Sequence, residues 1–178
     1  MDHACERCGT GAEQVGPLRL RRFRLPAAQI FLTLDDEVLV QEKLADRLRA
    51  YGIACLGDVL DARSGDRFGV FQLRPEATLP PFGPATRGIT RERPCPLCSR
   101  DGHYAIPHEP YRFSYPELND RLLLKDVLAT YERFGTSALR QPFSESVFAA
   151  PVLVVGGRVA AALNHADARH VDLQPVGS

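Results

Sequence analysis

Val38-Leu39-Val40-Gln41-Glu42-Lys43-Leu44-Ala45-Asp46-Arg47-Leu48-Arg49-Ala50-Tyr51-Gly52 carries two periodicities in one short stretch. Val38 to Val40 is apolar throughout and reads as a strand. The charged residues that follow place Leu44 and Leu48 one helical turn apart, so one face of a helix is apolar. Gly52 can take the left-handed conformation that ends a helix, and Ile53 to Leu56 opens another short apolar run. The segment reads as strand–helix–strand, which puts the chain among mixed α and β folds.

The same grammar returns near the end of the chain. Val152-Leu153-Val154 reads as a strand, a helix from about Arg158 turns Val159 and Leu163 inward, and His170-Val171-Asp172-Leu173 before Pro175 reads as a closing strand. With one inserted residue allowed at Gly156-Gly157, Val38, Leu39, Val40, Ala45 and Leu48 fall on Val152, Leu153, Val154, Ala160 and Leu163, all identities. Lys43 and Leu44 fall on Arg158 and Val159. An internal duplication accounts for this, as does the patterning that apolar strand–helix segments share. Between the two units, six prolines from Pro75 to Pro96 mark a loop or linker. Pro116 to Phe134 reads as an extra helix, with Leu124, Val127, Leu128 and Tyr131 at helical spacing and Gly135 as its cap. The expected fold is α+β: two similar strand–helix–strand units packed with an additional helix, stapled by zinc. It forms one domain over 1–178, or two lobes in which 1–74 and 101–178 flank the Pro-rich connection 75–100.

The staple is read from cysteine spacing. Cys5-Glu6-Arg7-Cys8-Gly9 and Cys95-Pro96-Leu97-Cys98-Ser99 are two pairs with two residues between the thiols. That spacing lets a tight turn present two thiolates to one tetrahedral zinc, and two turns complete a closed structural site. The candidate ligands are Cys5, Cys8, Cys95 and Cys98. The 86 residues between Cys8 and Cys95 exceed the roughly 15–20 of compact zinc ribbons. The longer loop costs only about 1.4 kcal/mol more to close, small against apparent zinc affinities of about 10–16 kcal/mol. Redox or disulfide pairing and unconnected cysteines are the other readings of the same four residues. His3 and His103 stand near enough in sequence to replace a thiolate. A closed four-thiolate site leaves no position for water or substrate, so such a zinc would be structural.

At 178 residues, 44% hydrophobic, the chain can bury a core without the metal. Lys+Arg and Asp+Glu each number 22, so no global field attracts nucleic acid or an anionic membrane. No apolar run approaches the roughly 18 residues of a membrane span. The first cysteine turn comes too early to leave room for a signal peptide, and five cysteines in two short-spaced pairs and one single suit a reducing compartment. The chain is expected to be cytoplasmic.

Other chemistry-bearing residues are sparse. In Leu18-Arg19-Leu20-Arg21-Arg22-Phe23-Arg24-Leu25, a bulge at Arg21-Arg22 would put all four arginines on one strand face and Leu18, Leu20, Phe23 and Leu25 on the other. This is either an ordinary solvated face or a contact for an anionic partner. Asp35-Asp36-Glu37 is a solvated turn or an acidic docking patch. Cys55, alone in an apolar run, reads as a core thiol. His103, His108, His165 and His170 form no ligand pair, and neither a Gly-x-Ser-x-Gly elbow nor a phosphate loop occurs, so no catalytic residues are expected and the chain is not expected to be an enzyme.

The cysteine turns, together with Val152-Leu153-Val154-Val155-Gly156-Gly157-Arg158-Val159-Ala160-Ala161-Ala162-Leu163 and the closing Val171-Asp172-Leu173-Gln174-Pro175-Val176, resemble the double-CXXCG motif proteins. This is a bacterial family whose best-known members are immunity proteins against contact-delivered polymorphic toxins. Ser99 stands where the second motif would have glycine. The resemblance covers about half the chain. It implies zinc (Zn2+) on Cys5, Cys8, Cys95 and Cys98, no catalytic residue, and a cognate toxin domain as protein partner. The alternative is a zinc-knuckle nucleic-acid-binding or regulatory protein using Arg19, Arg21, Arg22 and Arg24.

Overall fold

The computed structural model describes residues 5, 14–33, 37–91, 94, 96–97, 103–104, 111–134 and 150–165, with the side chains of His103 and His165 outside that description. It is a mixed α+β structure built on two main sheets. β1 (Leu18–Leu20), β2 (Ile30–Leu32), β3 (Val38–Gln41), β4 (Leu56–Asp61) and β5 (Arg67–Leu73) form a five-stranded sheet in the order β1-β4-β5-β3-β2. β1 runs parallel to β4 and every other pairing is antiparallel. α1 (Glu42–Ala50) follows β3. The chain leaves this sheet after β5 and enters a second one through β6 (Ala77–Thr78), which pairs parallel with β8 (Val127–Ala129); β10 (Leu153–Val155) pairs antiparallel with β8 on its other side. β7 (His103–Tyr104) and β9 (Arg133–Phe134) form a small parallel pair, α2 (Asp120–Leu123) is a single turn, and α3 (Gly157–His165) follows β10.

The strand and helix expected over 38–52 are present as β3 and α1, but the closing strand expected at Ile53 to Leu56 is displaced: residues 53–55 form no strand, and β4 begins at Leu56 and continues to Asp61. Alternation along β3 sends Val40 toward α1 and Leu39 to the opposite face, and both are fully buried. α1 stops as expected: Gly52 takes φ 77 and donates its amide to the Arg49 carbonyl at 2.8 Å. At the other end of the chain, β10 and α3 also fall where the pattern put them. The strand His170 to Leu173 lies outside the described residues. Leu44, Ala45 and Leu48 of α1 meet Val159, Ala162 and Leu163 of α3 in one core with Ile53, Leu73 and Val127, so this core joins the two main sheets. At about 25 cal/mol per Å² of apolar surface, burial of such side chains stabilises by about 1.5–3 kcal/mol each.

Residues 116–134 are not a helix. Only Asp120–Leu123 is helical, started by the Asn119 side chain, which accepts from the Leu122 amide at 3.1 Å, and the chain then turns into β8. All three β8 residues are buried between β6 and β10. A central strand covered on both faces shows a continuous apolar run rather than alternation, and Val127-Leu128-Ala129 beside Leu124 and Tyr131 imitates helical spacing. The structure leaves Leu124 78% exposed, where a helical stripe would bury it.

The Pro-rich stretch does more than connect. Residues 79–91, beyond β6, are irregular, yet Leu79 and Phe82 enter a second core with Phe113, Tyr115, Leu128 and Phe134. Phe82 stacks on Phe113 with ring centroids 4.6 Å apart and lies 5.1 Å from Tyr115. Gly83 makes this approach feasible, since a Cβ there would come within 2.4 Å of Pro116 Cδ.

Candidate functional site

Two chemically distinctive places lie on the described residues, a polar junction between the sheets and an arginine-bearing strap; the cysteine turns are described only at Cys5, Pro96 and Leu97.

Of the expected zinc ligands, Cys8, Cys95 and Cys98 lie outside the described residues; Cys5 is half-buried. Pro96 and Leu97, the two residues between the second pair, form a turn, and Leu97 is exposed. That local shape suits a thiolate knuckle. Among the described residues no group of three or more His, Cys, Asp or Glu side chains could hold a metal ion.

The polar junction sits where the chain passes from one main sheet to the other. Asp126, buried just before β8, receives Arg158 of α3 in a two-pronged ion pair, Nε to Oδ1 at 3.1 Å and Nη2 to Oδ2 at 2.9 Å. Glu76, just before β6, accepts from the Asp126 amide at 2.7 Å and lies 3.4 Å from Lys125 Nζ. The amide of Asp126, assisted by Lys125, holds the Glu76 carboxyl below its usual range. Cys55 packs against the core beside them. Burial, with the Glu76 and Asp126 charges adding to it, pushes its thiol up to about 11. A thiol raised in this way is a poor nucleophile, in keeping with the core reading of Cys55.

The arginine stretch is not one bulged strand. β1 ends at Leu20, and residues 21–29 leave one edge of the five-stranded sheet and reach β2 at the other edge. Leu18 and Leu20 pack with Leu39, Val59 and Val70 as expected. Phe23 joins that face through edge-to-face contacts with Phe31 and Phe68, at 5.9 and 5.7 Å. Arg22 lies 3.5 Å from Asp61, whose Oδ1 accepts from the amides of Arg63 and Ser64. Those two amides, ahead of Arg22, hold the Asp61 carboxyl below its usual range. Gln41, at the start of α1, reaches back with Nε2 to the carbonyls of Pro26 at 2.7 Å and Ala28 at 2.8 Å. The strap is thus pinned at both ends. Arg19 projects from β1 instead, between the inward-facing Leu18 and Leu20.

Of the acidic triple, Asp35 and Asp36 lie outside the described residues. Glu37 accepts from Gln72 Nε2, and Gln72 also exchanges hydrogen bonds with Gln14 at 2.7 and 2.9 Å. Glu37 therefore serves an internal network. His108 and His170 lie outside the described residues.

Sequence reasoning missed three buried polar residues that hold the fold: Gln72, Asp126 and Glu132. Glu132 Oε1 accepts from the Phe82 amide at 2.7 Å and so ties the Pro-rich stretch to the second sheet's connection. Gln72 was findable as a polar residue inside an apolar strand run. Glu132 sat in a stretch whose false helical period made it look solvated. Tyr115 is fully buried, and among the described residues its hydroxyl has no hydrogen-bond partner; burial, then the nearby Glu132 carboxylate, drives its phenol far above the usual range.

Compared with protein-family models, with curated proteins and with solved structures, the chain matches none. Among the described residues no helix is long and apolar enough to cross a membrane.

Proposed function

We propose that this chain is a non-catalytic binding protein of the cytoplasm that neutralises a cognate toxin domain by covering it, with a structural zinc on Cys5, Cys8, Cys95 and Cys98. The observation that supports binding over turnover is the use to which the described titratable groups are put. Asp126 is held by Arg158, Glu76 by backbone amides and Lys125, Asp61 by its own turn, Glu37 by Gln72, and the Cys55 thiol is pushed out of its reactive range. Each of these groups serves the fold, where an acid–base or nucleophilic pair would have to face a substrate. The toxin as partner rests on the resemblance of the cysteine turns and the 152–163 stretch to immunity proteins. The zinc rests on the paired spacing, with the turn at Pro96-Leu97 in keeping with it.

The test is growth protection. Cells producing a toxin domain encoded beside this gene should survive when this chain is co-expressed and die when it is not. Absence of protection against every such neighbour overturns the immunity reading.

A further inference from the structure

Residues 21–25, Arg-Arg-Phe-Arg-Leu, combine properties that seldom meet on a purely solvated surface. Arg21 and Arg24 are exposed and, among the described residues, make no ion pair; Arg22 keeps its side chain 61% exposed while touching Asp61. Phe23 is 40% and Leu25 38% exposed between and beside them. The backbone carrying these side chains is held at one end by Arg22 on Asp61 and at the other by Gln41 on Pro26 and Ala28, and the Phe23 ring is wedged against Phe31 and Phe68. A surface fixed in this way gives up little conformational freedom when a partner covers it.

From this juxtaposition of a pinned strap, exposed arginines and a half-exposed aromatic, we infer that residues 21–25 are a docking surface for an acidic protein face. Its carboxylates would receive Arg21 and Arg24, and an apolar recess would receive Phe23. Arginine forks match carboxylates two-pronged, and Arg with an aromatic is the composition of interface hot spots. The charge needed from the partner follows from the strap, since Asp61 is taken up by its own turn and by Arg22, and among the described residues no carboxylate pairs with Arg21 or Arg24. A nucleic acid fits less well: the chain as a whole is neutral, with 22 residues of each sign, and Phe23, the strap's single aromatic, is already in edge-to-face contact with Phe31 and Phe68. The inference rests on the reading of the chain as a binding protein, but not on the partner being a toxin.

Two fluorescein-labelled probes of equal negative charge test it by anisotropy: a peptide of repeated Glu-Glu-Leu-Glu blocks and an oligothymidylate. The full-length protein should bind the peptide, and Arg21→Glu with Arg24→Glu should weaken binding by about tenfold or more. Phe23→Ala should weaken it by a comparable factor, about tenfold, and Phe23→Leu by less. The control pair Lys43→Glu with Arg121→Glu makes the same change in net charge elsewhere and should alter affinity by less than about twofold. Unchanged thermal unfolding of each variant keeps folding out of the comparison. Tighter, Phe23-dependent binding of the oligothymidylate would make the strap a nucleic-acid surface and overturn the inference. So would equal weakening by the control pair, self-association in sedimentation that the strap variants abolish while the peptide stays unbound, or no peptide binding at all. Growth protection is read separately, so a missing toxin partner and a silent strap give different results.

Discussion

β3–α1 and β10–α3 carry the same residue pattern and bury the aligned pairs Leu44/Val159 and Leu48/Leu163, yet they occupy unlike places. β3 lies inside the five-stranded sheet between β5 and β2, with Leu39 and Val40 sealed on opposite faces; among the described residues β10 pairs only with β8, and all three of its residues are half-buried. α1 is entered through Gln41 and Glu42. α3 is entered through Gly156, whose amide donates to the Asp126 carbonyl at 2.8 Å and whose missing side chain leaves room for the Lys125 carbonyl, 2.8 Å from where a Cβ would stand. The extra residue at Gly156-Gly157, which the alignment of the two stretches requires, is where the chain squeezes past the start of β8. Local pattern selects the element and its inward face. Long-range pairing selects the sheet and the position within it.

The largest expected difference between the units is in their leucines. Leu48→Ala empties a site sealed in the middle of the shared core and should cost about 2–5 kcal/mol in denaturant unfolding. Leu163→Ala, in the helix that follows the half-buried β10, should fall at the low end of that range because its surroundings can close in more easily. Equal losses would mean that the two units are equivalent in packing as well as in pattern.

The glycine pair sharpens the same contrast. Gly156→Ala should cost about 1–3 kcal/mol because its Cβ meets backbone rather than a yielding side chain. At Gly157 nothing lies within 4 Å, so Gly157→Ala should be neutral or stabilising by up to about 1 kcal/mol. A reversed order would put the close approach at the wrong glycine.

Smaller still is the ionic link that only the second unit has. Arg158→Met keeps the stem and removes the positive counter-charge of buried Asp126. It should cost about 1–2 kcal/mol at neutral pH, because Asp126 loses both charge-assisted bonds while the 58% exposed Arg158 loses little on its own account. The corresponding Lys43→Met in α1, exposed and outside any such pair among the described residues, should leave unfolding unchanged.

The smallest effect is in acid. Glu76 and Asp61 titrate below their ordinary values of 4.5 and 3.8 in the folded protein. Their contribution to stability is present above those values and drains away as the pH falls through the depressed folded ones. Unfolding midpoints should therefore hold steady from neutral pH to about 4.5 and decline below it, and Glu76→Gln should flatten that decline. A midpoint that rises on acidification would contradict the hydrogen-bonding described for both carboxylates.

Much of the first unit was legible in sequence because the strand, the Leu44–Leu48 stripe and the Gly52 stop are local signals that agree. Residues 116–134 misled because a strand buried on both faces loses its alternation and borrows a helical period from Leu124 and Tyr131. The arginine stripe was legible as a charged segment but not as a strap. Its path depends on β1 and β2 standing at opposite edges of one sheet, a fact of topology that no short window of sequence contains. Glu132 and Asp126 were hidden for a related reason: a carboxylate is recognisable as buried only once the amide or guanidinium that reaches it has been brought in from elsewhere in the chain.

The zinc staple is the claim on which the proposed function leans most, and metal content measures it directly. Protein purified in reducing buffer without chelator should carry about one zinc per chain, with X-ray absorption giving four sulfur neighbours near 2.3 Å. Cys95→Ser should lose most of that metal and Cys55→Ser none of it. Metal-free wild-type protein, two zinc ions per chain, or a zinc retained by Cys95→Ser would contradict a single site shared by the two cysteine pairs.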